Sequence, residues 1–410
     1  MTHTRRAFLG SAAALGLAGC AAPQASPAAT AAFKARLRGL LRKSGLRLRR
    51  IETFTRDATV SLVRATADDG AEGWGQIAPF DADLSAKVLH RKIAPLALGS
   101  DPYDIDAISD RAVEANYKFP WSYVCRALAG LDTALWDLRG RREKKGVAEL
   151  LGSAGRPVPA YGSSMSRTIK PPDEAARMAR LRDEKGFRAF KVRVGKVCGH
   201  DQDQWPGRTG ELVPAVRRGV GDAVTLYADG NSCYTPGKAI EVGRLLESQR
   251  YSHFEEPCPW WELEWTAEVA AALEIPVSGG EQDNDLAQWR RMVRMRAVDV
   301  VQPDVCYVGG LTRALRVALL AAEAGLTCLP HSANLSLVTV FTVHLMAAIP
   351  NADPFMEFSI EKTGWTEGLF EPALAVKDGA VAVPAGPGWG VTVSPAWLEK
   401  AERQASERPA

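Results

Sequence analysis

From Val158 to Ser359 short apolar runs alternate with longer segments whose apolar residues recur every three or four positions. The runs are VPAYGSS, RAFKVRVG, AVTLYADG, SHFEEP, IPVSGGE, VDVVQPD, LTCLPHS and PFMEFS. Eight strands with helices between them predict a parallel barrel, because joining parallel strands takes a helix-length crossover. One such helix is the Ala/Leu-rich segment from Thr312 to Ala324, between Asp304 and His331. Each run closes in a polar residue, and chemistry in a parallel barrel gathers at the carboxyl ends of its strands.

The pattern in front of Val158 is different. Ile51 to Ala65 shows β-type runs and then a turn at Asp68-Asp69-Gly70. Helical spacing follows over Ser85–Leu98 and Pro102–Ala115, and again over Cys125–Arg139 with Leu128, Leu131, Leu135 and Leu138. This divides the chain into a front domain (45–157), a barrel (158–360) and a tail (361–410). The tail, rich in Gly and Pro, is expected to fold back on the front domain.

The first 32 residues read as an address. Arg5-Arg6 precedes an apolar run, Ala7 to Ala18, too short to span a bilayer. Leu17-Ala18-Gly19-Cys20 resembles a lipobox, so we expect twin-arginine export, with the protein periplasmic or anchored by a lipid on Cys20. Ala21 to Ala32 reads as a low-complexity tether. Composition adds little: 410 residues, net charge +3 and 46% hydrophobic residues describe an ordinary globular chain. No basic patch suggests nucleic acid. The six remaining cysteines form no CxxC pair and are expected to be single buried thiols.

Three consecutive runs end in carboxylates: Asp229, then Glu255 or Glu256, then Glu281. Neighbouring strands would bring these like charges to one rim, where only a cation relieves their repulsion. Oxygen ligands without Cys or His suit Mg²⁺. On the second strand Lys191 and Arg193 share a face. Pointing inward, they would lie beside the metal, Lys191 as acid, base or carboxylate binder and Arg193 as a carboxylate clamp. Across the barrel Asp304 would orient His331 as a base, and Glu357 would support a developing oxyanion. Such a set removes a proton from the carbon next to a carboxylate.

In this order these residues resemble the enolase superfamily, in its mandelate racemase-like branch, over Ile51 to Val393. The resemblance rests on Gly73-Trp74-Gly75 and Ala129 to Asp137 in front. In the barrel it rests on FKVRVG, ADGN, EEP, GGE, QPD with GGLT, and PHSAN. It implies an α/β fold: a modified (β/α)7β TIM barrel with an N-terminal α+β capping domain completed by the C-terminal tail. It implies one Mg²⁺ on Asp229, Glu255 and Glu281, with Glu256 behind them. Asp304 and His331 would be the base pair, Lys191, Arg193 and Glu357 further catalytic residues, and Asn231 a support of the site and a substrate-binding residue. It further implies a small-molecule carboxylate substrate and a homo-oligomer. Ser163, at the first strand's end, is a candidate substrate contact, with Ser164 and Met165 beside it.

One departure directs the functional reading. Racemases of this branch usually carry Lys-x-Lys on the second strand, whereas this chain has Arg193 at the second position. Arg193 stays charged and is a poor base, leaving His331 as the base. One base suffices for dehydration of an acid sugar or related hydroxy acid to a 2-keto-3-deoxy acid. A racemase or epimerase using Lys191 as second base, and a non-catalytic binder of sugar acids, are the alternatives.

Overall fold

The computed structural model describes residues 25–119 and 121–408. The twin-arginine run and Cys20 lie outside the described residues. Part of the expected tether does not. Pro27–Gly39 is a helix, with the Ser26 hydroxyl accepting from Ala29 N at 3.1 Å. Ser at the cap, Pro in the first turn and an alanine run are strong helix signals. The helix is fixed because its buried Phe33 joins the hydrophobic core.

Strands β1 (Leu48–Arg56), β2 (Val60–Ala67) and β3 (Glu72–Gln76) form an antiparallel meander. The helix Ser122–Glu143 covers it and approaches β3 too closely for side chains. A Cβ on Gly73 would collide with backbone at Ala134 and Leu138, and one on Gly75 with Gly130 and Thr133. Asp137 of this helix accepts from Trp74 N and, in the tail, from Trp389 N, both at 2.8 Å.

The barrel holds eight parallel strands: β4 (Val158–Ser163), β5 (Ala189–Arg193), β6 (Thr225–Asp229), β7 (His253–Glu255), β8 (Val277–Gly279), β9 (Val300–Val301), β10 (Thr327–Cys328) and β11 (Met356–Ser359). They are hydrogen-bonded in sequence order. The β11–β4 ladder and the bridge Cys328↔Ala352 close the ring. One helix follows each of the first seven strands, the (β/α)7β order. The tail divides. β12 (Phe370–Glu371) pairs with β15 (Thr392–Val393), and the hairpin β13 (Val376–Lys377)–β14 (Ala380–Val381) extends β4. Only β16 (Glu402–Glu407) joins the front sheet, antiparallel to β1.

The cap is anchored to the barrel by polar contacts. Asp132 accepts from Thr312 N at the start of the helix Leu311–Glu323, and Trp136 Nε1 donates to Thr312 Oγ1. Gln76 donates to Ser336 Oγ and accepts from Leu337 N. Among the described residues no helix is long and apolar enough to cross a membrane. All six remaining cysteines are unpaired, and Cys198 corrects the expectation of burial by lying exposed.

Burial also produces a pH-dependent stability. His344 Nδ1 accepts from Ala148 N at 3.0 Å and Nε2 faces Trp389 O at 3.1 Å, the pattern of a neutral ring. Burial pushes its pKa down to about 4, against about 6.5 in the unfolded chain. The folded state therefore binds fewer protons, and this contribution to stability is lost as pH falls from about 6.5 to about 4. The loss amounts to about 3 kcal/mol. His344→Gln can keep both hydrogen bonds without titrating. Urea denaturation at pH 7 and pH 4.5 should show the variant gaining on wild type as pH falls. Parallel pH profiles would contradict this.

Candidate active site

The ladder registers place Ser163 beside Lys191, Arg193 beside Asp229, and Asp229 beside Glu255. Paired residues on neighbouring parallel strands share a face, and here that face is the barrel interior. Lys191 is fully buried, with Nζ at 2.7 Å from Glu255 Oε2, 2.8 Å from Glu357 Oε1 and 3.7 Å from Asp229 Oδ2. Arg193 Nη1 donates to Asp229 Oδ2 and, at 2.7 Å, to Asn231 Oδ1, while Nε donates to Ser164 O. Of the two orientations that a shared face leaves open, the structure has both cations inward.

Three of the expected residues lie beyond the paired strands. Glu281 follows β8 by two residues, and Asp304 and His331 each follow their strands by three. Pro303 and Pro330 have no N–H for the ladder, so β9 and β10 stop short and the site residues sit on the rim.

Asp304 fixes the imidazole. Its Oδ1 accepts from Cys306 N at 2.7 Å and Tyr307 N at 2.9 Å, and its Oδ2 lies 2.8 Å from His331 Nδ1. Nδ1 thus carries a proton, and Nε2 points toward Glu281 Oε2 at 3.3 Å. Burial alone would depress the His331 pKa. The Glu281 charge, the Asp304 hydrogen bond and Glu357 outweigh it and raise the imidazole to about 10.

Six buried carboxyl groups, Asp229, Glu255, Glu256, Glu281, Asp304 and Glu357, face two permanent cations, Lys191 and Arg193. Burial and the charge of Asp229 push Glu255 up to about 8, against the pull of Lys191. Burial and then Glu281 push Glu256 well above the carboxylate range. Burial also opposes ionisation of Glu357, but Lys191, His331 and Arg193 prevail and hold it well below the usual range. Glu357 is thus ionised and its oxygens are taken: Oε1 by Ser163 Oγ and Lys191, Oε2 by Ser332 N at 2.7 Å.

Ser163 and Asn231, expected at the substrate, spend these polar atoms on the protein. The Ser163 hydroxyl donates to Glu357 Oε1 at 2.7 Å. Asn231, in the left-handed region at φ 41°, donates its N–H to Asp229 Oδ1 and accepts from Arg193 and Arg167. Sequence reasoning missed Arg167, which also donates to Gly195 O at 3.2 Å. It missed Arg126 of the cap too, stacked over Tyr307 at 3.8 Å, with the Tyr307 ring 6.0 Å from His331. Arg167 lies in a loop without periodicity and Arg126 on the helix Ser122–Glu143, where periodicity marks the helix but not what its polar residues meet, so only proximity reveals them. Phe80 of the cap meets Trp365 beyond β11, ring centres 5.8 Å apart. The connection from β5 to the helix Arg208–Val220 packs on the β6 loop through Cys198 N to Asn231 O, and its His200 is exposed.

The donor set fits a hard divalent cation. It offers carboxylate oxygens at the ends of consecutive strands; Glu255 Oε1 is buried without a hydrogen-bond partner among the described residues, and Glu281 Oε2 faces His331 Nε2 at 3.3 Å. Excess buried negative charge calls for a cation or for protons. Among the described residues no group of three His, Cys, Asp or Glu is already arranged as a ligand shell. The Lys191 ammonium and Arg193 guanidinium lie instead on Glu255 Oε2 and Asp229 Oδ2.

Comparison with known proteins agrees with this geometry. Residues 50–152 match the mandelate racemase / muconate lactonizing enzyme N-terminal domain, and residues 173–397 match the enolase C-terminal domain-like family. Over 335 residues the chain is 30% identical to an arabinonate dehydratase of Saccharolobus solfataricus, covering 79% of this chain and 86% of that one. Over 356 residues it is 30% identical to a D-galactarolactone cycloisomerase of Agrobacterium fabrum, covering 83% and 90%. A solved structure from Roseobacter denitrificans, provisionally named a racemase, superposes with a TM-score of 0.87 at 54% identity, covering 88% of this chain and 100% of that one. The L-talarate dehydratase of Polaromonas sp. JS666, solved with Mg and L-glucarate, superposes at 0.77 with 28% identity, covering 89% and 100%.

Proposed function

The chain belongs to the mandelate racemase / muconate lactonizing enzyme family, and from that premise we propose that it dehydrates an acid sugar or related hydroxy acid to a 2-keto-3-deoxy acid. The observation that carries this reading is the base side of the site. His331 is oriented by Asp304 with Nε2 aimed at the carboxylate cluster, while Arg193 stands where a second-face lysine would be.

Asp229, Glu255 and Glu281 would hold Mg²⁺. When bound, the ion supplies electrophilic stabilisation of the charge that develops on the substrate carboxylate. Neutralising Glu281 removes the first of the causes that raise His331, which favours the neutral, basic ring. His331 Nε2 then takes the α-proton. Lys191, held as an ammonium by Glu255, Glu357 and Asp229 against its burial, stands ready to donate to a carboxylate oxygen. The β C–O bond breaks, and the imidazolium returns its proton to the departing hydroxyl as water. The enol left behind becomes the 2-keto acid. Burial excludes bulk water from these groups, so their charges act at full strength.

Racemisation is the second reading, favoured by the provisional name of the Roseobacter denitrificans relative. It needs a base on the Lys191 face, and Lys191 is held charged. The deciding experiment incubates the Mg²⁺-loaded protein with a panel of sugar and hydroxy acids in D₂O. Water loss with a 2-keto product supports dehydration. Deuterium at the α-carbon without water loss replaces it with racemisation. Tight binding with no exchange would leave only a binder.

We also propose export, on Arg5-Arg6, the apolar run and Cys20. Cell fractionation should find the protein outside the cytoplasm, and Arg5→Lys with Arg6→Lys should retain it inside. A protein confined to the cytoplasm in both forms would end this reading.

A further inference from the structure

A second cavity lies away from the barrel rim and shares no residue with the site above. It has a volume of about 210 Å³, between the helix Pro27–Gly39, the cap and the barrel helix Leu311–Glu323. Its walls are apolar: Leu37 and Leu41 on one side, Tyr103 and Trp136 from the cap, Leu315 and Leu319 from the barrel. The helix that closes it precedes the residues matched to the family, which begin at 50. The cavity thus depends on this chain's own N-terminal segment.

Its charged lining is unbalanced: Lys34, Arg38, Arg139 and Arg316 against Asp106. Lys34 is taken by Glu323, and Arg316 by Asp106 and Asp110. Arg38 makes no ion pair among the described residues. Arg139 is the more telling group. It is 2% exposed, its Nε donates to Glu143 at 3.0 Å and its Nη1 to Leu40 O at 2.7 Å. Its Nη2 is buried with no partner among the described residues. A buried guanidinium donor without an acceptor is the exception in folded proteins, and it belongs to a residue that lines this cavity.

We propose that this cavity binds a small amphipathic monocarboxylate, its apolar body between Trp136, Leu315 and Leu37 and its head toward the guanidinium groups of Arg139 and Arg38. The walls disfavour a compact, strongly hydrated anion such as phosphate, because nothing apolar on it would replace the water displaced. An apolar cavity of about 150 Å³ accepts a benzene ring, so this one accommodates a chain of about six to eight carbons. The ligand touches all three parts of the chain at once and holds the N-terminal helix, cap and barrel together.

The test titrates sodium octanoate into the full chain by calorimetry, with octylamine as the charge-reversed probe. Octanoate should bind at one site per chain, and octylamine about tenfold more weakly or not at all. Leu319→Trp, at a half-buried position on the cavity wall, should fill the cavity and weaken octanoate about tenfold. Arg38→Gln should weaken it less. His331→Asn should leave octanoate binding unchanged. The proposal is overturned if octanoate does not saturate the wild-type chain, if octylamine binds equally well, or if Leu319→Trp binds like wild type. It is overturned too if His331→Asn abolishes binding, which would put octanoate at the barrel rim.

Discussion

Replacing His331 with Asn lowers turnover by about 10³-fold or more, within the range spanned by a positioned acid–base group that acts in more than one proton transfer. The fold should survive. Asn places an N–H near the position of Nδ1, so Asp304 keeps a donor besides Cys306 N and Tyr307 N. Mg²⁺ affinity should change little, because the carboxylates stay in place. The decisive readout is exchange of the substrate α-proton in D₂O, which separates proton abstraction from later steps. Loss of both exchange and water elimination identifies His331 as the base. Turnover near wild type would show that another group removes the proton. Asp304→Asn should also lower turnover, since it disturbs the orientation and tautomer of His331, and wild-type activity in that variant would contradict the positioning role.

Lys191→Met should have the largest effect on stability. The ammonium lies among Glu255, Glu357 and Asp229 in a fully buried site. Met matches the length of the lysine stem but leaves those carboxylates facing one another with only Arg193 as a permanent cation. Removing one partner of a buried ion pair costs about 3–5 kcal/mol. Urea denaturation at pH 7.5 should show the midpoint falling by that amount of stability with the slope unchanged, which indicates lost stability rather than altered compactness. An unmoved midpoint would mean that the pairing of Lys191 contributes nothing net. Activity should be lost as well, because Lys191 is the group proposed to donate to the substrate carboxylate.

Much of this could be read along the chain. The spacing of Asp229, Glu255 and Glu281 is one strand–helix unit per step, which places them on neighbouring strands of any closed parallel barrel. Lys191 and Arg193 share a face because strand side chains alternate. The Asp304–His331 pair follows from two adjacent strands in the same way, and in the structure they touch. The sequence pattern extended β9 and β10 to these residues, but Pro303 and Pro330 end the ladders early. The expected tether is partly a helix, because Ser26, Pro27 and the alanines carry local helix signals while the core contact of Phe33 is made far along the chain.

What the sequence determined by itself is the set of local regularities: period two in strands, 3.6 in helices, and the length of one βα unit. Those place the backbone and, with it, the side chains on strand ends. What only the tertiary structure decided is which polar atoms meet. Ser163 and Glu357 are 194 residues apart, and Gln76 and Ser336 are 260 apart. Closing the barrel and seating the cap bring them within hydrogen-bond distance. The same closure sets Glu357 Oε1 against the Lys191 ammonium, and it brings Arg167 and Arg126 to the site from loop and cap. Such partners are fixed by packing in three dimensions, where each buried donor and acceptor is satisfied by whatever the fold places beside it. No local period encodes that choice.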